Sequence, residues 1–310
     1  MAVLPPDLAK RQDELNRTLL AFDDIDSRVD SAAARAMNAK LDAMSKDEQA
    51  AFTGAVGRWS GYVHGTAVAD IALSGLDDEE IVVARMEWWH GTPPIPCWTR
   101  ELADREAASI RDLLEFWVES GSRVVNMSWG RFETSYLQNL KQCAPRMPLA
   151  ERMALARYTV ETIRSELQAG MAAAPNVLFV AASGNAGTSL DIANPATRFS
   201  LPNLMLVGAV DRSGAFADYT NVGPEVSIYA NGDRVPARLP GGLNSFPTGT
   251  SMATPNVANA AAKMLAANPK ITGAEMRALI EQTADTNATG QRLLHTARAV
   301  EAARRKSRVH

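Results

Sequence analysis

The sequence has little cysteine and no long apolar run. Cys97 and Cys143 are the only cysteines among its 310 residues. Without further Cys or His at ligand spacing they indicate neither a zinc site nor a disulfide-dependent scaffold, and they can either pair or remain as two buried thiols. No segment reaches the roughly 18 apolar residues needed to cross a bilayer, so we expect no membrane partner.

An excess of one charge is also lacking. The chain has 32 Lys and Arg against 35 Asp and Glu, so nothing favours a nucleic-acid partner. Its first residues, MAVLPPDLAKRQDEL, lack the basic start and apolar run of an export signal. The compartment and the oligomeric state stay open. With 46% apolar and 22% charged residues, the composition is that of a globular protein with a large core.

Hydrophobic patterning divides the chain into two parts. Before about residue 50, apolar residues recur at helical spacing from Leu8 to Phe22, which predicts two or three surface helices. From about residue 61, short apolar runs alternate with helical patterns. We therefore expect a helical N-terminal segment, 1–55, and a main domain, 56–310.

The main domain is predicted to be a three-layer α/β sandwich with a mostly parallel, doubly wound sheet. Its apolar runs are nearly continuous in hydrophobicity, as expected for parallel strands covered on both faces. In such folds the active residues lie at the carboxyl ends of the strands. Strands are predicted at 81–84, 123–127, 177–181, 204–208 and 226–229, helices at 64–74, 101–120, 149–173, 251–267 and 273–283, and a frayed helix at 296–310.

The most informative segment is GTSMATP at 249–255. A small-residue turn precedes Ser251 and an Ala-rich helix follows it, so its hydroxyl is expected beside the free backbone N–H groups of a first helical turn. Such a serine can act as a nucleophile next to an anion site. Taken alone, however, Ser251 is better explained as a helix cap, a role that serine often has.

Two other segments carry polar residues that can complete a site. HGTAVAD at 64–70 places His64 at the start of a small-residue helix. AASGN at 181–185 closes an apolar strand with Asn185, whose amide can donate two hydrogen bonds. Taken singly, the histidine is more often a satisfied core or surface residue, and Gly and Asn are common in plain loops.

Together, the three segments resemble the subtilisin-like serine protease family, whose motifs read HGTHVAG, AAGN and GTSMAxP in the same order. NMSWG at 126–130 is similar to the family strand that pairs with the substrate backbone. The resemblance runs from about residue 60 to about residue 285, and residues 1–50 do not share in it. It implies that the main domain, 56–310, is a subtilisin-like peptidase domain.

The resemblance implies a serine endopeptidase that cleaves a polypeptide substrate through an acyl-enzyme. Ser251 would be the nucleophile and His64 its base, while the Asn185 amide and the Ser251 N–H would stabilise the oxyanion. Small residues along both substrate edges are expected to admit large side chains. No cofactor is identified, and calcium is possible by resemblance without an assigned site. The implied substrate edges are Ser128, Trp129 and Gly130 on one side and Ala182, Ser183 and Gly184 on the other.

The family's triad also contains an aspartate after an apolar strand upstream of the histidine, and no such motif is found. The best imitation lies at 19–27, where Asp23, Asp24 and Asp26 are weak candidates, but its apolar residues continue a helical pattern. We therefore expect that the chain starts after the aspartate strand and that 1–55 is an insertion between the two motifs. Loss of the acid would cost roughly 10⁴ in kcat.

Two further departures bear on the same region. Ala67 stands where the family has a second histidine, and Asp70 where it has a glycine. Asp70 can face solvent or serve as the partner of His64, although a separation of six residues places the two side chains on different helix faces. The long helical stretch 131–174 can be a lid, a partner surface or decoration.

Two competing functions remain beside the endopeptidase. A non-catalytic or impaired peptide-binding protein fits the missing aspartate, whereas the joint presence of His64, Asn185 and Ser251 favours an enzyme. An α/β-hydrolase esterase fits poorly, because no G-x-S-x-G elbow is present and the histidine precedes the serine.

Overall fold

The chain folds around a six-stranded sheet. The structure is a computed structural model that describes residues 6–84, 86 and 96–308. Its strands are β1 (Val124–Met127), β2 (Leu178–Ala182), β3 (Leu204–Val210), β4 (Val226–Asn231), β5 (Ala237–Arg238), β6 (Asn244–Ser245), β7 (Asp285–Thr286) and β8 (Arg292–Leu293). Its helices are α1 (Pro6–Ala9), α2 (Gln12–Asp26), α3 (Ala32–Asp42), α4 (Lys46–Ala72), α5 (Arg100–Glu119), α6 (Glu133–Cys143), α7 (Leu149–Ala173), α8 (Leu190–Ala193), α9 (Thr250–Ala267), α10 (Gly273–Gln282) and α11 (Thr296–Ser307). None of these helices is long and apolar enough to cross a membrane.

The sheet is mostly parallel, as predicted. Its strand order is β1-β2-β3-β4-β8-β7, and β7 alone runs antiparallel to its neighbour, while β5 and β6 form a separate hairpin. The predicted strands that begin near residues 123, 177, 204 and 226 are confirmed as β1 to β4. Met127 pairs with Ala181, so the carboxyl ends of β1 and β2 lie side by side. The segments that follow these two strands therefore leave the sheet at the same edge.

Each face of the sheet is covered by its own layer of helices. α5 and α7 pack on one face, and α9, α10 and α11 pack on the other. In β2, Phe179 belongs to the first layer and Val180 to the second, because alternate side chains of a strand point to opposite faces. Every residue of β2 and β3 is buried. The three-layer α/β fold is confirmed.

The helical stretch after β1 belongs to the core. α7 buries Val160, Ile163, Leu167 and Met171 completely against α5 and the sheet. A fully buried aliphatic side chain contributes about 1.5–3 kcal/mol. Decoration is therefore a wrong interpretation for α7, whose apolar stripe packs with α5 against one face of the sheet.

The N-terminal helices form a third apolar cluster with α4. Leu15 and Trp59 are fully buried in it, and the Trp59 indole donates to Asn16 Oδ1 at 2.9 Å. These helices are thus more than the surface helices that were predicted. Helix α4 also runs without interruption through the predicted boundary between residues 55 and 56, so that boundary does not coincide with a break in secondary structure.

Residues 81–84 are not a strand, contrary to the prediction. They join no backbone ladder, and Ile81 and Val83 are 47% and 72% exposed. An apolar run becomes a strand only when a neighbouring strand accepts its backbone hydrogen bonds, and in the described part of the chain β1 pairs with β2 alone.

Two predicted helix limits were also wrong. α4 begins at Lys46 rather than near residue 64, because Ser45 and Glu48 form a capping box. His64 therefore lies inside a long helix and not at its start. At the other end of the chain α11 is not frayed, because its buried face, with Ala299 fully enclosed, packs in the α9 layer.

Cys97 and Cys143 form a disulfide, which decides between the two states that the sequence left open. The bond ties the segment before α5 to the end of α6. Beside it the Trp98 indole donates to Thr159 Oγ1 at 2.9 Å. A crosslink between residues 46 apart removes about 4 kcal/mol of conformational entropy from the unfolded chain.

Candidate active site

The candidate nucleophile lies where the first turn of α9 meets the end of β1. Ser251 Oγ donates to the Ser128 carbonyl at 3.2 Å, and Ser128 Oγ donates to the Ser251 carbonyl at 2.8 Å. Gly249 precedes the helix with φ +151°, a conformation that other residues rarely adopt. This turn leaves Ser251 half-exposed, with its N–H in a first helical turn where no intrahelical carbonyl can accept it.

Asn185 is joined to the same turn through Thr250. The Thr250 N–H and hydroxyl both donate to Asn185 Oδ1, at 2.8 and 2.7 Å, and Thr250 Oγ1 accepts the Gly184 N–H at 3.2 Å. These bonds leave Asn185 Nδ2 without an acceptor among the described residues. Nδ2 lies 3.2 Å from the point that a Cβ on Gly249 would occupy. The amide N–H groups are therefore beside the turn that carries Ser251 and are available to an anion.

The loop that carries Asn185 is fixed from behind by Asn221, which is 1% exposed. Asn221 Nδ2 donates to the Ser183 carbonyl at 3.0 Å, and its Oδ1 accepts the N–H groups of Ala186 and Thr188 at 3.0 and 3.3 Å. A donor held in this way does not reorganise when charge develops next to it, which is the condition for strong electrostatic stabilisation.

His64 lies on α4, which packs against α9. Val63 and Ala67 of α4 share a buried cluster with Met252, the residue that follows Ser251. The imidazole is half-buried, and burial lowers its pKa below the ordinary histidine value. Neither ring nitrogen has a hydrogen-bond partner among the described residues. The lowered pKa favours the neutral imidazole, which can accept a proton, and no hydrogen bond joins His64 to Ser251 Oγ in this structure.

No carboxylate within the described ranges pairs with His64. Asp23 instead accepts hydrogen bonds from Ser245 Oγ at 2.6 Å and from the Phe246 N–H at 3.2 Å. Burial raises the pKa of Asp23 in spite of these bonds. The side chain of Asp26 lies outside the described part of the structure.

The other two candidate acids are paired with arginines. Asp24 forms an ion pair with Arg234 at 2.7 Å, and hydrogen bonds from Ser31 and Arg234 lower its pKa. Asp70 accepts the Arg238 N–H at 2.9 Å and forms an ion pair with its guanidinium at 2.8 Å. Neither carboxylate is available to orient the histidine. Over residues 6–84, 86 and 96–308, no three His, Cys, Asp or Glu side chains are grouped as metal ligands.

The two expected substrate edges adjoin at the carboxyl end of the sheet, and some of their side chains point inward. Ser128 and Ser183 are buried, with their hydroxyls bonded to the backbone carbonyls of Ser251 and Asn221. Ala182, the last residue of β2, is also buried. These three residues brace the site, so only their backbone can face a substrate.

The remaining members of the two edges surround an aromatic ring. Gly130 and Gly184 both lie against the side chain of Phe132. Trp129 is half-buried, with the Arg131 guanidinium 5.4 Å from its ring centre. Arg131 forms a largely buried ion pair with Glu106, each side chain being 11% exposed.

Three residues that shape the site had no role in the sequence analysis. Thr250 stands inside the GTSMATP motif, and its position next to Ser251 was a usable signal. Asn221 and Phe132 stand in segments without a local pattern. Only the tertiary fold brings them to the loop 183–188 and to the space between the two edges.

A known protein family matches most of the chain. A sequence model described as the subtilase family matches residues 29–299. This chain belongs to the subtilase family. The subtilase match begins within the helical N-terminal segment, so the family resemblance extends further upstream than the motifs at 64–70 and beyond indicated.

Curated subtilase relatives align over a shorter region. Subtilisin NAT from Bacillus subtilis subsp. natto is 38% identical over 113 residues, 36% of this chain and 30% of that protein. The cell wall-associated protease of Bacillus subtilis (strain 168) is 41% identical over 110 residues, 36% of this chain and 12% of that protein. The alignments thus span less than a third of either relative, and the second relative is named as a protease.

A solved structure supports the fold. The self-cleaved protease domain of PatA superposes with a TM-score of 0.50 at 23% identity, covering 77% of this chain and 83% of that domain. An identity this low is evidence for the architecture, and it assigns no role to individual residues.

Proposed function

We propose that this chain is a serine endopeptidase domain that acts on extended polypeptide, with Ser251 as nucleophile and His64 as general base. The observation that carries the proposal is the arrangement around the first turn of α9. The Ser251 hydroxyl, its own N–H and the Asn185 amide N–H groups lie at one turn, and these N–H groups have no acceptor in the described part of the protein. A nucleophile beside two anion donors meets two of the requirements for acyl transfer, and the third is a general base.

The reaction follows from these groups. Ser251 Oγ attacks the scissile carbonyl carbon and passes its proton to the neutral imidazole of His64. The oxyanion that forms accepts hydrogen bonds from Asn185 Nδ2 and the Ser251 N–H. The imidazolium then protonates the leaving amine, and water hydrolyses the acyl-enzyme with His64 as base again.

One bond in the structure must change before this attack. Ser251 Oγ now donates to the Ser128 carbonyl at 3.2 Å, a long bond for a hydroxyl donor. Ser128 belongs to the edge proposed to pair with the substrate backbone. The attack requires Ser251 Oγ to leave the Ser128 carbonyl and to donate to the imidazole of His64 instead.

A second candidate is a peptide-binding protein without turnover. It is favoured by the lack of any carboxylate bonded to His64 in the described ranges, because an unoriented imidazole is a poorer base. It predicts a groove that binds extended peptide and a serine that does not react.

Covalent labelling with a fluorophosphonate separates the two candidates. We expect wild-type protein to be labelled at Ser251, and the Ser251→Ala variant to be unlabelled while its thermal unfolding is unchanged. Ser109, an exposed serine on α5, provides the matched control, since Ser109→Ala should label as wild type does. Folded wild-type protein that resists the probe would contradict the endopeptidase and support the peptide-binding protein.

A further inference from the structure

We propose that Phe132 narrows the specificity pocket, so that the enzyme cleaves after small side chains. The proposal rests on the proposed function, because it concerns the pocket for the residue before the scissile bond. It names a substrate class, polypeptides with Gly, Ala or Ser at that position, and a residue that selects it.

The ring of Phe132 is wedged between the two edges expected to form the pocket walls. A Cβ added to Gly130 would lie 2.4 Å from Phe132 Cε2 and 2.5 Å from Cζ. A Cβ added to Gly184 would lie 2.7 Å from the same Cζ and 2.9 Å from Cε1. One aromatic ring therefore contacts both walls, and both wall positions accept only glycine while the ring is there.

The backbone that carries the ring is anchored on both sides. The Ala196 N–H donates to the Arg131 carbonyl at 2.8 Å, and the Glu133 N–H donates to the Asn194 carbonyl at 3.3 Å. Phe132 itself forms a bridge with Pro195 and stands immediately before α6. The ring is thus placed by a fixed segment of backbone.

The wall formed by Gly184 is closed from behind by a buried asparagine. Asn221 Nδ2 would lie 2.5 Å from a Cβ added to Gly184, and the Asn221 amide is held by hydrogen bonds at both its nitrogen and its oxygen. A large substrate side chain must therefore displace the Phe132 ring, whereas a methyl or hydroxymethyl group needs far less space. A charged substrate side chain is also disfavoured, because the nearby Arg131 guanidinium already pairs with Glu106. From the sequence, the small wall residues were expected to admit large side chains. That expectation took no account of the Phe132 ring, which occupies the space between the walls.

The test compares matched peptide substrates that differ only in the residue before the cut, Ala or Phe. We expect wild-type enzyme to prefer the Ala substrate in kcat/KM, and Phe132→Ala to shift the ratio toward the Phe substrate by about 100-fold, since pocket complementarity of this kind discriminates by roughly 10- to 200-fold. Phe116→Ala, at an exposed phenylalanine on α5, should leave the ratio unchanged. Phe132→Leu is the second variant and should give an intermediate shift.

A binding measurement keeps this inference distinct from the proposed function. Product-like peptides ending in Ala or Phe are titrated into folded Ser251→Ala protein, with and without Phe132→Ala. A gain in affinity for the Phe-ending peptide on removal of the ring supports the inference even if no turnover is found. Wild-type enzyme that turns over and prefers the Phe substrate, or equal affinities in both backgrounds, would overturn the inference and leave the endopeptidase intact.

Discussion

The serine side and the histidine side of the candidate site are held in different ways. Ser251 and Asn185 are joined to each other, to β1 and to the loop after β2 by hydrogen bonds through Thr250, Ser128 and Asn221. His64 is carried by a helix that packs through apolar side chains in a separate cluster, and its ring has no hydrogen bond in the described part of the chain.

The serine side would stabilise the transition state and the histidine side would transfer the proton, so the two tasks depend on differently held parts of the protein. The proposed oxyanion donors are held by hydrogen bonds from the loop after β2 and from the first turn of α9, so they need no reorganisation during the reaction. The proposed base, His64, is positioned only by packing, and no described carboxylate selects its tautomer or stabilises the imidazolium. We therefore expect electrostatic stabilisation to supply most of the rate enhancement and His64 an unusually small part.

Among the tests of this difference, the largest change in kcat is expected from a substitution on the serine side. Asn185→Ala removes the proposed oxyanion donor and should lower kcat by about 10²–10³ with little change in KM. Steady-state kinetics on a small peptide substrate measure both constants. The control is Asn176→Ala, at an exposed asparagine before β2, which should leave kcat unchanged. If kcat/KM fell equally far through a higher KM with kcat unchanged, Asn185 would bind the substrate and the transition state equally well.

A smaller effect is expected from the residue that positions the donor. Thr250→Val keeps the shape of the side chain but removes the hydroxyl bonded to Asn185 and Gly184, and we expect kcat to fall by about tenfold, the equivalent of one hydrogen bond. Thr250→Ser keeps the hydroxyl and should therefore have the kcat of the wild-type protein. A merely structural role of Thr250 would not require this recovery. The control Thr254→Val removes a buried hydroxyl one turn further along α9 and should affect stability alone. Equal losses of kcat in the two valine variants would contradict a positioning role.

The smallest effect concerns pH and tests the histidine side. Burial lowers the pKa of His64, so the acid limb of kcat/KM should have its midpoint below about 6.5, the ordinary histidine value. Because the unfolded chain then binds more protons, the free energy of unfolding should also fall as pH drops from about 6.5 through the lowered pKa. A midpoint above the ordinary value would indicate that a carboxylate accompanies His64 in solution.

Much of this arrangement could be predicted from sequence, because local patterns determine it. The continuous apolar runs predict β1 to β4, and the turn before Ser251 is specified by glycine and by small residues. The strand predicted at 81–84 failed because a strand depends on a partner that no local pattern shows. The start of α4 was missed although Ser45 and Glu48 carry the signal of a capping box.

The contacts of the site were less accessible from sequence. Asn221 and Phe132 reach the site only through the tertiary fold, and their own segments contain no motif. The partners of Asp23 and Asp24 likewise lie more than 200 residues away in sequence, at Ser245 and Arg234. Pairings over such distances follow from the position of the end of α2 beside residues 234–246, which the sequence pattern does not specify.

The contribution of His64 to kcat tests the central contrast most directly. In subtilisin, a relative of this chain, removal of the serine or histidine costs about 2 × 10⁶ in kcat and removal of the aspartate about 3 × 10⁴. If His64 acts without an acid, its remaining contribution should equal the ratio of these two losses. His64→Ala should therefore lower kcat by only about 10². A loss near 10⁶ would show that an acid orients His64, and no loss would show that His64 is not the base; either result would contradict the account.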